Sequence, residues 1–144
     1  MSAQERFVEK SYAYITRNEE ELLVFRGPDH EGFQIPKGTV EPAEDARDAA
    51  IREAVEETGV ATFGEFEHLT TDVWTRRDQP PERYVRHFFH ANVYEPRDEW
   101  THVVSGRGEE SGTEFEFSWV PVPPMAEFAL EADEYVGLVD CGDA

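Results

Sequence analysis

The chain has 144 residues, 39% of them hydrophobic and 12% aromatic, which is enough to bury one core and argues against a disordered chain. Acidic residues number 32 against 13 basic ones, giving a net charge of −19, and the sequence has no basic stripe of the kind that binds duplex nucleic acid, which disfavours that function. No apolar run approaches the roughly 20 residues that cross a bilayer, and the first residues lack a signal-peptide pattern. These limits predict one cytoplasmic domain, residues 1–144, with no membrane partner.

The acidic excess is spread along the whole chain rather than concentrated in one block. Such a spread is typical of proteins from organisms with a very salty cytoplasm, where charge maintains solubility and salt screens the self-repulsion. It predicts a salt-adapted source rather than a basic protein partner. The single cysteine, Cys141, excludes an internal disulfide and a cysteine-based zinc cluster.

The first third of the chain predicts three strands. Residues 8–16 and 21–25 are rich in aliphatic and aromatic side chains, and a turn at Asn18 and Glu19 separates them. Residues 32–36 predict a short third strand.

A helix follows between Gly38 and Gly59. Pro42 suits its first turn, acidic residues lie near its positive end, and Gly59 follows its last periodic residue as a terminating glycine does. An apolar stripe is expected to pack on the sheet, formed by Ala46, Ala50, Ile51, Ala54 and Val55.

The opposite face of this helix is acidic. Glu53, Glu56 and Glu57 stand at i, i+3 and i+4, so their carboxylates project from one side and can converge. Arg52 lies four residues from both Asp48 and Glu56, so it can hold the acidic face through charge-assisted hydrogen bonds. Such a cluster fits Mg²⁺ or Mn²⁺, hard cations that favour carboxylate and phosphate oxygens. It also fits a merely solvated acidic helix face.

Residues 38–60 resemble the signature of the Nudix hydrolases, and this resemblance favours the metal site over the solvated helix face. That family's signature is G-x5-E-x7-R-E-U-x-E-E-x-G-U, where U is aliphatic, and every fixed position matches. The fixed residues are Gly38, Glu44, Arg52, Glu53, Glu56, Glu57 and Gly59, with Ala54 and Val60 at the aliphatic places. The preceding Pro36, Lys37 and Gly38 also resemble the turn that opens many family members.

The resemblance implies a Nudix α/β/α sandwich: a mixed central sheet between this box helix and a C-terminal helix. It implies hydrolysis of a pyrophosphate bond in a nucleoside diphosphate linked to another group, with Mg²⁺ or Mn²⁺ as cofactor. By position, Gly38, Glu53, Glu56 and Glu57 become the metal ligands, and either Glu53 or Glu56 becomes the general base. Glu44 and Arg52 then have supporting roles.

Beyond the box, residues 66–75, 83–94 and 114–120 predict strands, and the prolines at 123 and 124 precede a helix over 125–139. Substrate recognition must come from outside the box. Arg26 and Lys37 are the leading candidates for binding phosphate. Several residues of the later strands are further candidates for the pocket, with core or solvated positions as the alternative: Trp74, Arg83, Tyr84, Arg86, His87, Phe89 and His90.

By resemblance, one more metal ligand or base comes from a late loop, with Glu109, Glu110 and Glu114 as candidates. Dinucleoside polyphosphates are the first expected substrates, then nucleoside triphosphates, then nucleotide sugars. The alternative is a Nudix-fold nucleotide sensor without turnover, although the intact box favours an enzyme. A homodimer is also compatible with the family.

Overall fold

The computed structural model describes residues 6–18, 20–28, 32–76, 82–106 and 111–122. Their strands are β1 (Arg6–Arg17), β2 (Glu21–Arg26), β3 (Lys37–Thr39), β4 (Glu67–Arg76), β5 (Glu82–Asn92), β6 (Trp100–Val103) and β7 (Glu114–Pro121). One helix, α1 (Ala46–Thr58), lies among these residues. No helix in the described ranges is long and apolar enough to cross a membrane.

The described strands form one mixed sheet in the order β4-β5-β1-β2-β7-β6, with β3 paired to β1. Strands β1 and β5 run parallel, while the other pairs are antiparallel. The predicted α/β fold with a mixed central sheet is therefore confirmed. The predicted helix over 125–139 and Cys141 lie outside the described residues.

The alternation of side chains along β1 assigns one core to each face of the sheet. Ala13 and Ile15 face α1, where they join the buried Ala50 and Ala54 of the helix. Tyr12 and Tyr14 belong to a second apolar cluster on the opposite face. That second cluster also contains Leu22, Val24, Ile35 and Phe88.

The predicted third strand over 32–36 is wrong. Gln34 makes only an isolated bridge, exchanging two backbone hydrogen bonds of 2.9 Å with Phe25. Pro36 has no N–H to continue that pairing, and its carbonyl instead accepts from the backbone N of Ala13 at 2.9 Å. The chain thus changes partner at Pro36, and the strand that forms is Lys37–Thr39, paired with β1.

The start of α1 also differs from the prediction. Pro42 lies before the helix, and Asp45 is the N-cap, its carboxylate accepting from the backbone N of Asp48 at 2.8 Å. Within the predicted stripe, Ile51 and Val55 are 36% and 37% exposed. The small residues of the stripe carry the contact with the sheet because alanine allows the helix to approach closely.

The end of α1 depends on β6, a strand that the sequence did not reveal. The indole N of Trp100 donates to the carbonyl of Thr58 at 3.0 Å. Gly59 ends the helix in the left-handed conformation with a φ of 74°, and its N–H donates to the carbonyl of Val55 at 3.0 Å. The predicted role of Gly59 is thus the one observed.

We expect Gly59→Ala to lower the free energy of unfolding by about 1–2 kcal/mol, because a left-handed residue with a Cβ costs that much. The added Cβ would also lie 2.6 Å from the Nδ1 atom of His102. Gly64→Ala is the matched control, since its Cβ would meet only the carbonyl oxygen of Asn92 at 3.5 Å. Urea unfolding curves measure both changes, and equal losses in the two variants would contradict the assignment.

Candidate active site

The guanidinium of Arg52 lies at the centre of the acidic face. Its Nε and one terminal nitrogen donate to the two carboxylate oxygens of Glu44 at 2.9 and 3.0 Å. The other terminal nitrogen donates to Oε1 of Glu53 at 2.6 Å and lies 3.6 Å from Oε2 of Glu56. Arg52 therefore holds carboxylates from the helix and from the preceding turn together. Glu44, rather than the expected Asp48, is its strongest partner.

The same interactions set the charge state of the carboxylates. Hydrogen bonds from Arg52 hold the pKa of Glu44 below its ordinary value, because they favour the ionised form. The pKa of Glu56 is raised instead, first by burial and then by the negative charge of Glu53. Glu53 and Glu56 are thus close enough to repel each other, with Arg52 as a shared positive neighbour.

Glu53 lies directly against the backbone of β3. A Cβ at Gly38 would overlap the Glu53 carboxylate, so only glycine allows this approach. The pairing of Gly38 with Ser11 in β1 sets the position of this backbone. Ser11 in turn donates its hydroxyl to the carbonyl of Ala46 at 2.7 Å, which fixes the start of α1 beside β3.

Glu56 meets a second stretch of backbone after β6. A Cβ at Gly106 would lie 2.6 Å from both carboxylate oxygens of Glu56. The carbonyl of Glu56 accepts from the backbone N of Ser105 at 3.1 Å. Sequence reasoning missed this segment because its contact with α1 joins residues about fifty positions apart.

Glu57 is in a different setting from the other two glutamates of the helix. It is only 1% exposed, and its Oε1 accepts from the backbone N of Lys37 at 3.4 Å. Among the described residues, no group of three or more His, Cys, Asp or Glu side chains is arranged to hold a metal ion. The four-residue ligand set of Gly38, Glu53, Glu56 and Glu57 stays a prediction.

The donor set nonetheless fits Mg²⁺ or Mn²⁺. Mg²⁺ usually takes one or two carboxylates and completes its shell with waters and substrate phosphate oxygens. Glu53 and Glu56 supply such a pair, only 14% and 22% exposed, with mutual repulsion that a cation would relieve.

A family model described as the NUDIX domain matches residues 9–136 of this chain. The chain belongs to the NUDIX family. Over 50 residues, or 35% of the chain, it is 50% identical to a protein of Dinoroseobacter shibae named RNA pyrophosphohydrolase. That match spans 31% of the relative's length.

Solved structures with the same fold include two described as MutT proteins. One, a MutT NUDIX hydrolase from Burkholderia pseudomallei, has a TM-score of 0.70 at 20% identity, covering 94% of this chain and 99% of its own. The other, from Methanosarcina mazei, has a TM-score of 0.59 at 20% identity, covering 85% and 82%. At these identities the similarity shows the fold alone.

The two predicted phosphate contacts of this Nudix chain lie beside aromatic rings. Lys37 pairs with Tyr12 in the sheet, and its ammonium lies 5.8 Å from the centre of that ring. Because Gly38 faces Glu53, the alternation of β3 places the neighbouring Lys37 on the other side of the strand. Arg26 is exposed, with its guanidinium 4.4 Å from the ring centre of Phe33. Lys10 was not predicted, and it donates to the hydroxyl of Thr39 at 2.8 Å.

The further pocket candidates divide between the two faces of the Nudix sheet. Phe89 is buried in the core beneath α1. Trp74 and Tyr84 stack with ring centres 5.7 Å apart on the opposite face, and the ammonium of Lys10 lies 5.6 Å from the Tyr84 ring. Arg86 is buried on that face and makes two hydrogen bonds with Asp72, at 2.8 and 2.6 Å.

The remaining candidates have structural partners in the sheet. His90 is buried, and its Nε2 lies 2.8 Å from the hydroxyl of Thr16. His87 lies between Glu9 and Thr71, with ring nitrogens 3.0 Å from each. Arg83 lies near Phe7, its guanidinium 6.0 Å from that ring centre.

The late-loop candidates are only partly within the structure. Glu114 is exposed at the start of β7, where it pairs with Val103. Glu109 and Glu110 lie outside the described residues. The expected additional ligand or base therefore stays a prediction.

We expect Glu44→Gln to lower the free energy of unfolding at pH 7 by about 1.5–3 kcal/mol, the range for a hydrogen bond to a charged group. Because the folded pKa of Glu44 is depressed, this stability is present above its ordinary pKa, near 4.5, and is lost as pH falls through the folded value. The difference from wild type should therefore shrink on acidification.

Urea unfolding at several pH values, with Glu67→Gln as the exposed control, measures that difference directly. Comparing each variant with wild type removes the effects of the other carboxylates, including Glu56, whose raised pKa acts in the opposite direction. A loss for Glu44→Gln that stays constant from pH 7 down to acid would contradict its pairing with Arg52.

Proposed function

We propose that the chain hydrolyses a pyrophosphate bond in a nucleoside diphosphate linked to another group, with Mg²⁺ or Mn²⁺ as cofactor. One observation carries the proposal: Arg52 gathers Glu53 and Glu56 at a point where each meets the backbone of a glycine. Carboxylates in this number and setting suit a divalent cation that also binds substrate phosphates. The complete Nudix box supports the same assignment.

The roles proposed for the residues follow from their chemistry. Glu53 and Glu56 would hold the cation, which when bound neutralises phosphate charge and makes an attacking water more acidic. One of these two carboxylates would also accept the proton of that water, as a general base within hydrogen-bond reach. Gly38 and Glu57 would complete the ligand set.

Arg52 and Glu44 would act by positioning. A guanidinium stays charged throughout catalysis, and its hydrogen bonds to Glu44 raise the pKa of Arg52 further. Arg52 therefore cannot exchange protons with the substrate, but it can hold Glu53 in one orientation. Glu44 fixes Arg52 through two hydrogen bonds, which define the plane of the guanidinium.

For the substrate, we propose a dinucleoside polyphosphate, followed by nucleoside triphosphates and nucleotide sugars. The stacked rings of Trp74 and Tyr84 provide an aromatic surface for a base. Lys10 lies beside the Tyr84 ring and donates a hydrogen bond to Thr39 of β3, so it adds positive charge near that strand. Lys37 and Arg26 would bind phosphates of a substrate that extends past β3, since Lys37 lies on the side of that strand opposite to Glu53. The name of the relative, RNA pyrophosphohydrolase, adds RNA as a further candidate substrate.

A panel assay tests the proposal. Release of phosphate or nucleotide would be measured from dinucleoside polyphosphates, nucleoside triphosphates, nucleotide sugars and a 5′-triphosphorylated oligoribonucleotide. Each reaction contains Mg²⁺ or Mn²⁺ in concentrated KCl, because the net charge of −19 favours a salt-screened folded state. Cleavage that EDTA abolishes is the expected result. Nucleotide binding by the folded protein without any cleavage would support the sensor alternative instead.

We expect Glu53→Gln and Glu56→Gln each to lower kcat by about 10²-fold or more, because each removes a metal ligand or the base. Both variants should keep a folded structure, since glutamine has nearly the same volume as glutamate. Asp48→Asn is the matched control, because it removes one exposed negative charge from the same helix. Steady-state kinetics and circular dichroism measure the two properties, and turnover like wild type in both glutamine variants would refute the site.

A further inference from the structure

The segment from His102 to Gly106 packs against the last turn of α1. The carbonyl of Glu56 accepts from the backbone N of Ser105 at 3.1 Å, and Nε2 of His102 lies 3.2 Å from the same oxygen. The last carbonyls of a helix have no hydrogen-bond partner inside the helix. These contacts supply a partner for one of them, the carbonyl of Glu56. The segment is thereby fixed relative to the Glu56 main chain.

Gly106 lies against the carboxylate of Glu56, so the segment contacts the side chain of Glu56 as well as its main chain. Its φ is +93°, a backbone conformation that residues with a Cβ rarely adopt. The three atoms nearest to a Cβ at this position would all belong to the Glu56 carboxyl group, at 2.5–2.6 Å. The space that the missing side chain leaves is thus the space that the carboxylate of Glu56 needs.

We propose that Gly106 is a positioning residue for the active site: it keeps Glu56 in the orientation that binds the cation. The inference rests on the proposed function and extends it beyond the Nudix box. In this role Gly106 contacts neither the substrate nor a reacting atom. It acts only through Glu56.

A side chain at position 106 should move the carboxylate rather than unfold the chain. The opposing atoms are the end of a flexible glutamate side chain, which can rotate away without displacing backbone. Small displacements at a catalytic centre are costly, since a misplacement of about 1 Å can lower a rate by about 10²-fold. The expected defect is therefore functional, on top of the backbone strain that any residue with a Cβ has at this φ.

Gly112 provides a matched control for that strain. Its φ of +89° is nearly the same, it lies between the same two strands, and a Cβ there would have no neighbour within 4 Å. Gly112→Ala therefore reproduces the backbone cost of Gly106→Ala without the contact with Glu56.

The test measures Mn²⁺ binding to the folded protein by electron paramagnetic resonance, together with kcat and urea unfolding. We expect Gly106→Ala to weaken Mn²⁺ binding by about 10-fold or more and to lower kcat by about 10²-fold. Gly112→Ala should stay within about 3-fold of wild type in both, with a similar urea midpoint. In a Glu56→Gln background, Gly106→Ala should weaken Mn²⁺ binding no further, because the group through which it acts is gone.

Equal Mn²⁺ affinity and kcat in the two alanine variants would overturn the inference and reduce Gly106 to a turn residue. An additional loss in the Glu56→Gln background would also overturn it. If Gly106→Ala does not fold, the asparagine variants at 106 and 112 replace the pair, since asparagine tolerates positive φ better. A wild-type protein that neither binds Mn²⁺ nor cleaves any substrate would refute the proposed function itself, a result distinct from these.

Discussion

The interaction on which the site depends is the one between Arg52 and the carboxylates around it. Glu44, Glu53 and Glu56 would repel one another if they were gathered without a positive charge. Arg52 supplies that charge from within the same helix, and its two bonds to Glu44 fix the guanidinium in one plane. The turn before α1 is thereby fastened to the middle of the helix, beside Glu53 and Glu56, the carboxylates that we propose as metal ligands.

Around Arg52 and its carboxylate partners, the sheet contributes backbone atoms to the site rather than side chains. Strand β3 brings Gly38 against Glu53, and the segment after β6 brings Gly106 against Glu56. Both contacts require the absence of a Cβ, so each carboxylate has a glycine beside it. The packing of alanines on the sheet keeps α1 close enough for both contacts. Fold and site are therefore linked through small residues at three separate places.

Local patterns in the sequence predict the parts of this arrangement that one helix determines. The common face of Glu53 and Glu56, the neighbouring Arg52 and the terminating Gly59 all follow from helical spacing. Contacts between segments that are distant in the sequence do not follow from this spacing. For that reason β6 and the contact of Gly106 with Glu56 were not predicted. The sequence also did not predict the change of strand partner at Pro36 or the capping of α1 by Asp45. Both depend on hydrogen bonds that cannot be identified from the sequence. Lys37 adjoins the box in the sequence, but only the register with β1 reveals its side of the strand.

We propose that Glu53 and Glu56 bind a divalent cation between the backbones of Gly38 and Gly106. Addition of substoichiometric Mn²⁺ to ¹⁵N-labelled protein tests it most directly, because the paramagnetic ion broadens the resonances of nearby amides. We predict that broadening is strongest for the amides of Gly38, Glu53, Glu56 and Gly106 and falls off with distance from the Glu53 and Glu56 carboxylates. Broadening centred elsewhere, or no selective broadening at all, would contradict it.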